Sequence, residues 1–334
     1  MRQPHLSRRA LLAAGAAAAL AGCSAPPDPK PVRDTPEQAL ARTLIADKER
    51  TIALYSALVD AGGDDQLAAR RAHHQAHLAE LRRRYPGLRA SGSPAPATSA
   101  ASSGTPTATP AATPTATPAM TPSRLRVLER QAAARRPGQL AGVAPALAQL
   151  VASIGACEVL HAATAVRPPA PPPAPPPASG PADPGDVEKL RKALAAEHAA
   201  VFAYGVLGAR TSGSLRARLT RAFDAHRDRR DELRRLITAR GGQPAEPQPS
   251  YALPSIPSGG AAAARLAAHV ETGLTASYLE LVAATDTALR RYAAVAVQEA
   301  VIRGHSFRPG PATAFPGLPA PAPASPSPTP SPGG

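Results

Sequence analysis

The sequence predicts an all-α protein with two tandem four-helix bundles, joined and flanked by Pro-rich disordered segments. The 41 Pro and 25 Gly among 334 residues are clustered, so long stretches of the chain cannot contribute to a core. The remaining segments are rich in Ala, Leu and Arg, which favour helices, and lack the alternating β-branched and aromatic residues typical of strands. Trp is absent, and there are only six Tyr and four Phe, so the cores have to be small and formed by closely spaced, Ala-rich helices.

The N-terminus predicts a lipoprotein signal peptide over residues 1–22. A twin arginine at positions 8 and 9 precedes an apolar run, which ends in Leu-Ala-Gly before Cys23. An apolar run this short is typical of a secretory signal rather than a membrane span. The twin arginine resembles a twin-arginine export signal, and Leu-Ala-Gly-Cys resembles the bacterial lipobox. We therefore expect Cys23 to carry the lipid of an exported protein anchored to the cell membrane; an uncleaved anchor is the alternative.

The charge of the chain favours anionic surfaces over nucleic acid. The formal net charge is +14, carried mostly by Arg spread over many predicted helices. No nucleic-acid-binding motif is present and aromatic stacking positions are scarce, so we interpret these Arg as solvated helix faces and expect no nucleic-acid partner. Near the anchor, the positive excess would favour anionic lipid headgroups or cell-wall polymers.

Only one cysteine other than Cys23 is present, Cys157, so no intrachain disulfide is expected. An exported protein without disulfides has to be held by helix packing or by metal. Cys157 lies about 100° round its helix from Glu158. We interpret Cys157 as a small buried apolar residue and not as a ligand.

Composition divides the chain into segments, and two of these segments repeat the same arrangement of four helices. They are the signal peptide (1–22), a tether (23–35), a first four-helix unit (36–167) with a disordered crossover (89–122), a Pro-rich linker (168–185), a second unit (186–307) and a disordered Pro-rich tail (308–334). In each unit, two tightly joined helices are separated from two more by a long connection. A shift of 149 residues aligns Tyr55 with Tyr204 and His77 with His226, which predicts a divergent repeat.

A carboxylate and an imidazole three residues apart distinguish the fourth predicted helix. Glu158 and His161 continue an apolar stripe that includes Leu150 and Ile154, so they share one helix face. Ferritin-like four-helix bundles hold two metal ions with Glu-x-x-His from two helices and one Glu from each of two others. The first unit offers six candidate ligands, which are Glu49, His74, His77, Glu129, Glu158 and His161. His74 stands where the pattern requires Glu, which disfavours a two-iron centre and leaves a site for iron, zinc or copper.

The second unit offers a reduced set of candidate ligands, namely Glu197, His226, Glu271 and Glu299. Phe223 and Ile302 replace the Glu and the His that would complete its two paired motifs. The sequence therefore predicts either one metal ion or a relic in which these groups hydrogen-bond to each other.

Several motifs of the second unit resemble those of a family of bacterial envelope proteins that carry a ferritin-like domain of unassigned function. The motifs are Ala196-Glu197-His198, Tyr204-Gly205, Ala225-His226-Arg227, Arg230-Asp231, Tyr251-Ala252-Leu253-Pro254, Glu271 and Glu299-Ala300. The resemblance covers residues 184–318 and implies the fold and an exported setting, but no reaction. Residues 37–167 look like a second, more divergent unit of the same kind.

Two classes of function follow. The first is a lipid-anchored envelope protein that binds a transition metal, for metal handling or oxidase-like chemistry. The second is a non-catalytic helical module, structural or partner-binding, with a degenerate metal site. A storage cage is disfavoured, because a lipidated chain with two tethered bundles does not readily form a closed shell. No residue is assigned a catalytic role.

Overall fold

The computed structural model describes residues 34–88, 120–163 and 183–319, and within these ranges all regular structure is helical. This confirms the predicted fold class. The helices are α1 (Pro36–Asp60), α2 (Asp65–Arg84), α3 (Pro122–Arg135), α4 (Pro145–Ala162), α5 (Pro184–Ala209), α6 (Gly213–Ala239), α7 (Gly260–Leu281) and α8 (Thr287–Phe307), with a 3₁₀ turn at Arg136–Gln139. The signal peptide and Cys23 lie outside the described residues, as do most of the predicted crossover and linker.

Local sequence signals account for where the helices begin. Thr35 forms a capping box with Gln38 at the start of α1, which satisfies backbone donors that have no partner within the helix. Asp64, Thr121 and Asp183 cap α2, α3 and α5 with their side chains. Local sequence therefore favours the starts of these four helices before any packing.

Hydrogen bonds between the helices of the first unit establish their directions. Glu37, at the start of α1, accepts from the Tyr85 hydroxyl just after α2 and from the Ala144 N–H just before α4. Lys48, further along α1, contacts Glu158 in the second half of α4. Helix α1 therefore runs parallel to α4 and antiparallel to α2.

Helix α3 completes the first unit. Tyr55 near the end of α1 bonds Glu129 in the middle of α3, whereas Asp47, earlier on α1, pairs with Arg136 just after α3. Helix α3 is therefore antiparallel to α1 and runs in the same direction as α2. Two parallel neighbours joined by a long connection are what the sequence predicts for this position.

The second unit has the same arrangement of directions. The bonds that show it are Glu197–Tyr278 and Tyr204–Glu271 between α5 and α7, and Arg218–Ser306 and Arg240–Asp286 between α6 and α8. Helix α5 is antiparallel to α7, and α6 is antiparallel to α8. Arg191, near the start of α5, donates to the Gln243 carbonyl oxygen just after α6, so α5 is also antiparallel to α6. Each unit is thus a four-helix bundle with helices in the order up, down, down, up.

The two units pack directly on each other through α4. Gln149 donates to the Leu279 carbonyl oxygen, and Arg290 of α8 donates to the carbonyl oxygens of Leu140 and Val143. Helix α4 is long and apolar enough to cross a membrane by length and composition, but 72% of it is buried inside the protein. That burial is what a central core helix requires.

The first part of the C-terminal tail is packed, contrary to the prediction that the chain does not fold beyond residue 307. The Phe315 ring lies 5.2 Å from the His77 ring, centroid to centroid. The Ser153 hydroxyl donates to the Pro316 carbonyl oxygen over 2.8 Å, and Gly317, at φ +79°, closely approaches Thr275. Residues 308–319 therefore lie against α2, α4 and α7, touching both units.

Candidate metal centre

Polar side chains from all four helices fill the centre of the first unit. Lys48, His74, Glu129 and His161 are each at most 2% exposed. The Tyr55 hydroxyl donates to Glu129 Oε1 over 2.8 Å, and His74 Nε2 lies 2.7 Å from the same oxygen. His161 Nδ1 lies 3.5 Å from it. The helices thus converge on the Glu129 carboxylate.

Glu158 is held in a buried cluster of ion pairs. Arg136 donates to Glu158 Oε2 over 2.9 Å from Nε and to Oε1 over 2.7 Å from Nη2, and Lys48 also donates to Oε1. Burial would raise the pKa of Glu158, but the charges of Arg136 and Lys48 lower it to about 2. A metal ion would have to displace two cations to reach this carboxylate. The structure therefore does not bring Glu158 and His161 together as one ligand pair.

Glu49 does not reach the centre. Its side chain is 35% exposed and pairs with Arg82 of α2 over 2.7 Å at the surface. The core-facing stripe of α1 passes instead through Lys48, one residue and about 100° earlier. The prediction of Glu49 as a ligand is wrong, and the position facing the centre carries a cation.

His77 lies at the junction with the C-terminal segment. Its Nε2–H donates to the Ala314 carbonyl oxygen over 2.6 Å, and its Nδ1 has no hydrogen-bond partner. Burial and the Lys48 charge hold the pKa of His77 well below its usual value, so the ring is neutral. Its position separates it from the Glu129 carboxylate, which His74 contacts instead.

Two sets of three donor atoms in the first unit lie close enough to hold one cation. They are His74, Glu129 and His161, and His73, Cys157 and His161, with the donor atoms of each set within 4.8 Å of one another. His161 belongs to both sets, because its two ring nitrogens face opposite sides. Its Nδ1 is directed at Glu129, and its Nε2 lies 3.0 Å from His73 Nδ1 and 3.4 Å from Cys157 Sγ.

Lys48 disfavours metal binding at the set that contains Glu129. Lys48 Nζ lies 3.3 Å from His74 Nδ1, and an ammonium can only donate, so this ring nitrogen accepts. The proton of the neutral ring is then on Nε2, where it donates to Glu129. Burial and the Lys48 charge lower the pKa of His74 to about 4. Both the ring proton and a nearby cation oppose a metal ion at this position.

The set of His73, Cys157 and His161 has no directly bonded ammonium, although the charge of Lys48 acts on Cys157 and the proton between His73 Nδ1 and His161 Nε2 would have to leave on metal binding. Cys157 Sγ lies 3.7 Å from His73 Nδ1, and no Lys or Arg contact is found at these three atoms among the described residues. His161 Nδ1 is buried without a full hydrogen-bond partner and faces the Glu129 carboxylate. Histidines that bind a metal through one nitrogen commonly direct the other at a carboxylate.

The donor types fit a thiophilic transition metal. One sulfur and two imidazole nitrogens suit zinc or copper(I), with a fourth position left open. Cys157 and His161 are buried, whereas His73 is half-buried and gives this side of the cluster access to solvent. Burial raises the pKa of the Cys157 thiol, so a metal ion would have to displace its proton.

The sequence prediction did not include His73 or Cys157 among its candidate ligands. Cys157 was compared with Glu158, from which it does diverge by about 100°. The spacing that could have indicated Cys157 as a ligand is its distance of four residues from His161, because residues i and i+4 share a helix face. His73 precedes His74, and the ring stacking of His73 on His161, at 5.2 Å between centroids, cannot be deduced from spacing.

The centre of the second unit is closed by its own hydrogen bonds. His226 Nδ1 lies 2.8 Å from Glu197 Oε2, and His226 Nε2 lies 3.0 Å from Glu271 Oε1. Burial would lower the pKa of His226, but the two carboxylates raise it to about 9. A protonated ring donates from both nitrogens and has no lone pair for a metal. Tyr278 and Tyr204 donate to Glu197 and Glu271.

Glu299 is separate from this bridge. It accepts from Arg229 on Oε2, and Oε1 has no partner. Arg303 pairs with Glu271 over 3.0 Å, so cations of the protein occupy both sides of the network. Three of the four predicted ligands, Glu197, His226 and Glu271, therefore bond to one another as a relic site would, whereas Glu299 bonds Arg229 instead.

The repeat relates the two centres through their tyrosines. Tyr55 donates to Glu129 and Tyr204 to Glu271, and the shift of 149 residues aligns the two tyrosines. His226 corresponds to His74, since each bonds the carboxylate that the tyrosine also bonds. Its predicted alignment with His77 is wrong by about one helical turn.

The fold and these centres define an all-α protein of two four-helix units, each with a buried cluster of His and Glu. Its C-terminal unit carries the Domain of unknown function (DUF4439), which matches residues 189–320. A conserved hypothetical protein from Mycobacterium tuberculosis, rv2844, known from a crystal structure, is similar at 30% sequence identity. That match covers 37% of this chain and 94% of that chain, with a TM-score of 0.36. Among curated proteins, none matches the chain.

Proposed function

We propose that the first four-helix unit binds one thiophilic transition-metal ion through His73 Nδ1, Cys157 Sγ and His161 Nε2. The observation that carries the proposal is the convergence of these three donors with Glu129 behind His161. Zinc and copper(I) fit this donor set better than iron, which in carboxylate bundles requires several Glu ligands. The metal would supply Lewis acidity or, for copper, electron transfer.

Metal handling fits the site better than oxidase chemistry. A two-metal oxidase of this architecture uses carboxylates that bridge the ions. Here Glu158 is paired with Lys48 and Arg136, and Glu49 is paired at the surface. Only Glu129 remains at the centre, and it contacts Tyr55 and two His rings rather than an open coordination position.

We further propose that the protein acts outside the cytoplasm as a membrane-anchored lipoprotein. This rests on the sequence of residues 1–23 alone, with its twin arginine, short apolar run and Cys23. The up, down, down, up order in both units supports a ferritin-like classification. A half-buried ligand such as His73 would allow metal exchange with the envelope medium.

Cobalt(II) binding tests the metal site. In the full chain with Cys23→Ser, Cys157 is the sole thiol, so a thiolate-to-cobalt charge-transfer band can come from no other residue. We expect this band on cobalt addition, its loss in Cys157→Ser, and weaker binding in His73→Gln. His269→Gln is the matched control, because His269 is exposed on α7 and belongs to neither cluster. A spectrum unchanged by Cys157→Ser would reject the proposal.

A structural role is the second candidate function, and the second unit favours it. Its His226 bridge leaves no nitrogen lone pair for a metal, and its carboxylates are bonded by Tyr and Arg side chains. Buried polar networks of this kind can fix helix register. Under this alternative, zinc and cobalt would not bind the full chain at stoichiometric concentration.

A further inference from the structure

The metal site proposed for the first unit has three donor atoms that form a compact triangle. Cys157 Sγ lies 3.7 Å from His73 Nδ1 and 3.4 Å from His161 Nε2, and the two ring nitrogens lie 3.0 Å apart. An ion in the plane of the three atoms would lie about 2 Å from each of them, close to ordinary metal–nitrogen distances. The triangle therefore suits a planar, three-coordinate ion.

The surrounding side chains do not supply a fourth ligand. Within the described ranges, no other His, Cys or carboxylate donor lies within 4.8 Å of all three atoms. Glu129 faces the far side of His161, where its Oε1 lies 3.5 Å from Nδ1. An ion that requires four ligands would have to take the fourth from solvent, on the side of the half-buried His73.

Two buried cations and two buried carboxylates surround the site. They are Lys48, Arg136, Glu129 and Glu158, each at most 2% exposed. Lys48 and Arg136 both pair with Glu158. Glu129 accepts from the Tyr55 hydroxyl and lies 2.7 Å from His74 Nε2, and donors at a carboxylate stabilise its ionised form. The buried charge around the site is therefore zero before Cys157 loses its proton.

The partly exposed charges nearby do not alter this balance. Asp47 lies 3.5 Å from Arg136, and the charge of Arg70 acts on His73. Metal binding then adds only the negative charge of the Cys157 thiolate. A monovalent ion makes the site neutral, whereas a divalent ion leaves one uncompensated positive charge in a largely buried position, which is unfavourable.

We propose that this site binds copper(I) in a near-planar, three-coordinate geometry and in preference to zinc. The inference rests on the proposed metal site and specifies its ion. Thiolate and imidazole ligands suit the soft copper(I) ion. Zinc takes four ligands in protein sites, so here it needs a solvent molecule as the fourth and an anion such as hydroxide to neutralise its charge.

X-ray absorption on the full chain with Cys23→Ser, prepared without oxygen, tests the coordination. With one equivalent of copper(I), we expect three neighbours, one of them sulfur. With one equivalent of zinc, we expect the same sulfur and a total of four neighbours. Four neighbours around copper(I) would overturn the proposal. Absence of a sulfur neighbour around both ions would instead reject the metal site itself.

Displacement of cobalt(II) by copper(I) tests the preference for a monovalent ion. Cobalt(II) represents zinc here, because its thiolate charge-transfer band reports only on Cys157. In the full chain with Cys23→Ser, one equivalent of copper(I) should abolish the band of the cobalt-loaded protein. Persistence of the band would overturn the proposal.

Lys48→Met tests the charge argument at the same site. It removes one buried cation while Arg136 still pairs with Glu158, so a divalent ion gains more than a monovalent one. Half-displacement of cobalt(II) should then require about tenfold more free copper(I), set by a chelator. Arg82→Gln is the matched control, because Arg82 is 57% exposed on α2, and it should behave like the parent chain. Equal requirements in Lys48→Met and Arg82→Gln would overturn the charge argument.

Discussion

Arg136 and Glu158 form a bidentate ion pair at the centre of the first unit, with both side chains 1% exposed. The pair joins the turn after α3 to α4, and Lys48 of α1 binds the same carboxylate. Glu158 compensates two buried cations, so within the cluster of Lys48, Arg136 and Glu158 its loss would leave the most uncompensated charge. The pair is therefore a structural element of the first bundle.

Replacing Glu158 should strongly destabilise the first unit. Glu158→Gln would leave Lys48 and Arg136 buried without their carboxylate, and we expect the free energy of unfolding to fall by about 3–5 kcal/mol. Glu49→Gln is the matched control, since it breaks only a surface pair with Arg82 and should cost at most about 1 kcal/mol. Chemical denaturation measures both, and equal costs would contradict the assignment of Glu158 to the core.

The Glu158 pair also predicts sensitivity to acid. The pKa of Glu158 is lowered from 4.5 to about 2 in the folded chain, so its stabilisation is fully present above pH 4.5. That stabilisation is lost as the pH falls through about 2. The free energy of unfolding measured between pH 5 and pH 2 should fall more steeply in the unmodified chain than in Glu158→Gln. Parallel slopes would show that Glu158 does not titrate differently on folding.

His226 predicts the opposite pH dependence in the second unit. Its pKa is raised from 6.5 to about 9 by Glu197 and Glu271, so its contribution to stability is fully present below pH 6.5. That contribution is lost as the pH rises through 9. The His226 ring resonance, assigned by comparison with His226→Gln, should titrate near pH 9 in proton NMR. A ring that is already neutral at pH 7 would contradict the charge assigned to this network.

The packed segment 308–319 predicts a stability effect far from either centre. Phe315 contacts His77 of the first unit and is half-buried, so Phe315→Ala should lower the free energy of unfolding by about 1–3 kcal/mol. Thr313→Ala, at an exposed position in the same segment, should change it by less than about 0.5 kcal/mol. If thermal denaturation shows the two variants to be alike, Phe315 does not contribute to the packing between units.

Periodicity and breaker residues predicted the helices and their order, because both depend on local sequence. The choice between Glu49 and Lys48 depended on a rotation of about 100° on α1. Lys48 continues the buried stripe of Leu44, but lysine is so seldom buried that the adjacent carboxylate was the more natural choice of ligand. Burial of Lys48 depends on Glu158, which is 110 residues away, and no local pattern encodes that contact.

Parts of the candidate site and the tail likewise depend on contacts between residues that are far apart in the sequence. The sequence identified His161, His74 and Glu129, which the structure brings together, since these polar residues interrupt apolar stripes. His73 and Cys157 were missed because their role depends on which rotamer and which neighbouring helix they meet. The tail beyond Arg308 has no periodicity, so its packing on two separate units could not be predicted from composition.

The proposed metal site of the first unit consists of Cys157, His73 and His161. X-ray absorption at the zinc edge, on the full chain with Cys23→Ser loaded with one equivalent of zinc, tests it most directly. We expect one sulfur neighbour at about 2.3 Å and nitrogen neighbours at about 2.0–2.1 Å, with loss of the sulfur neighbour in Cys157→Ser. Zinc surrounded only by nitrogen and oxygen in the parent chain would contradict it.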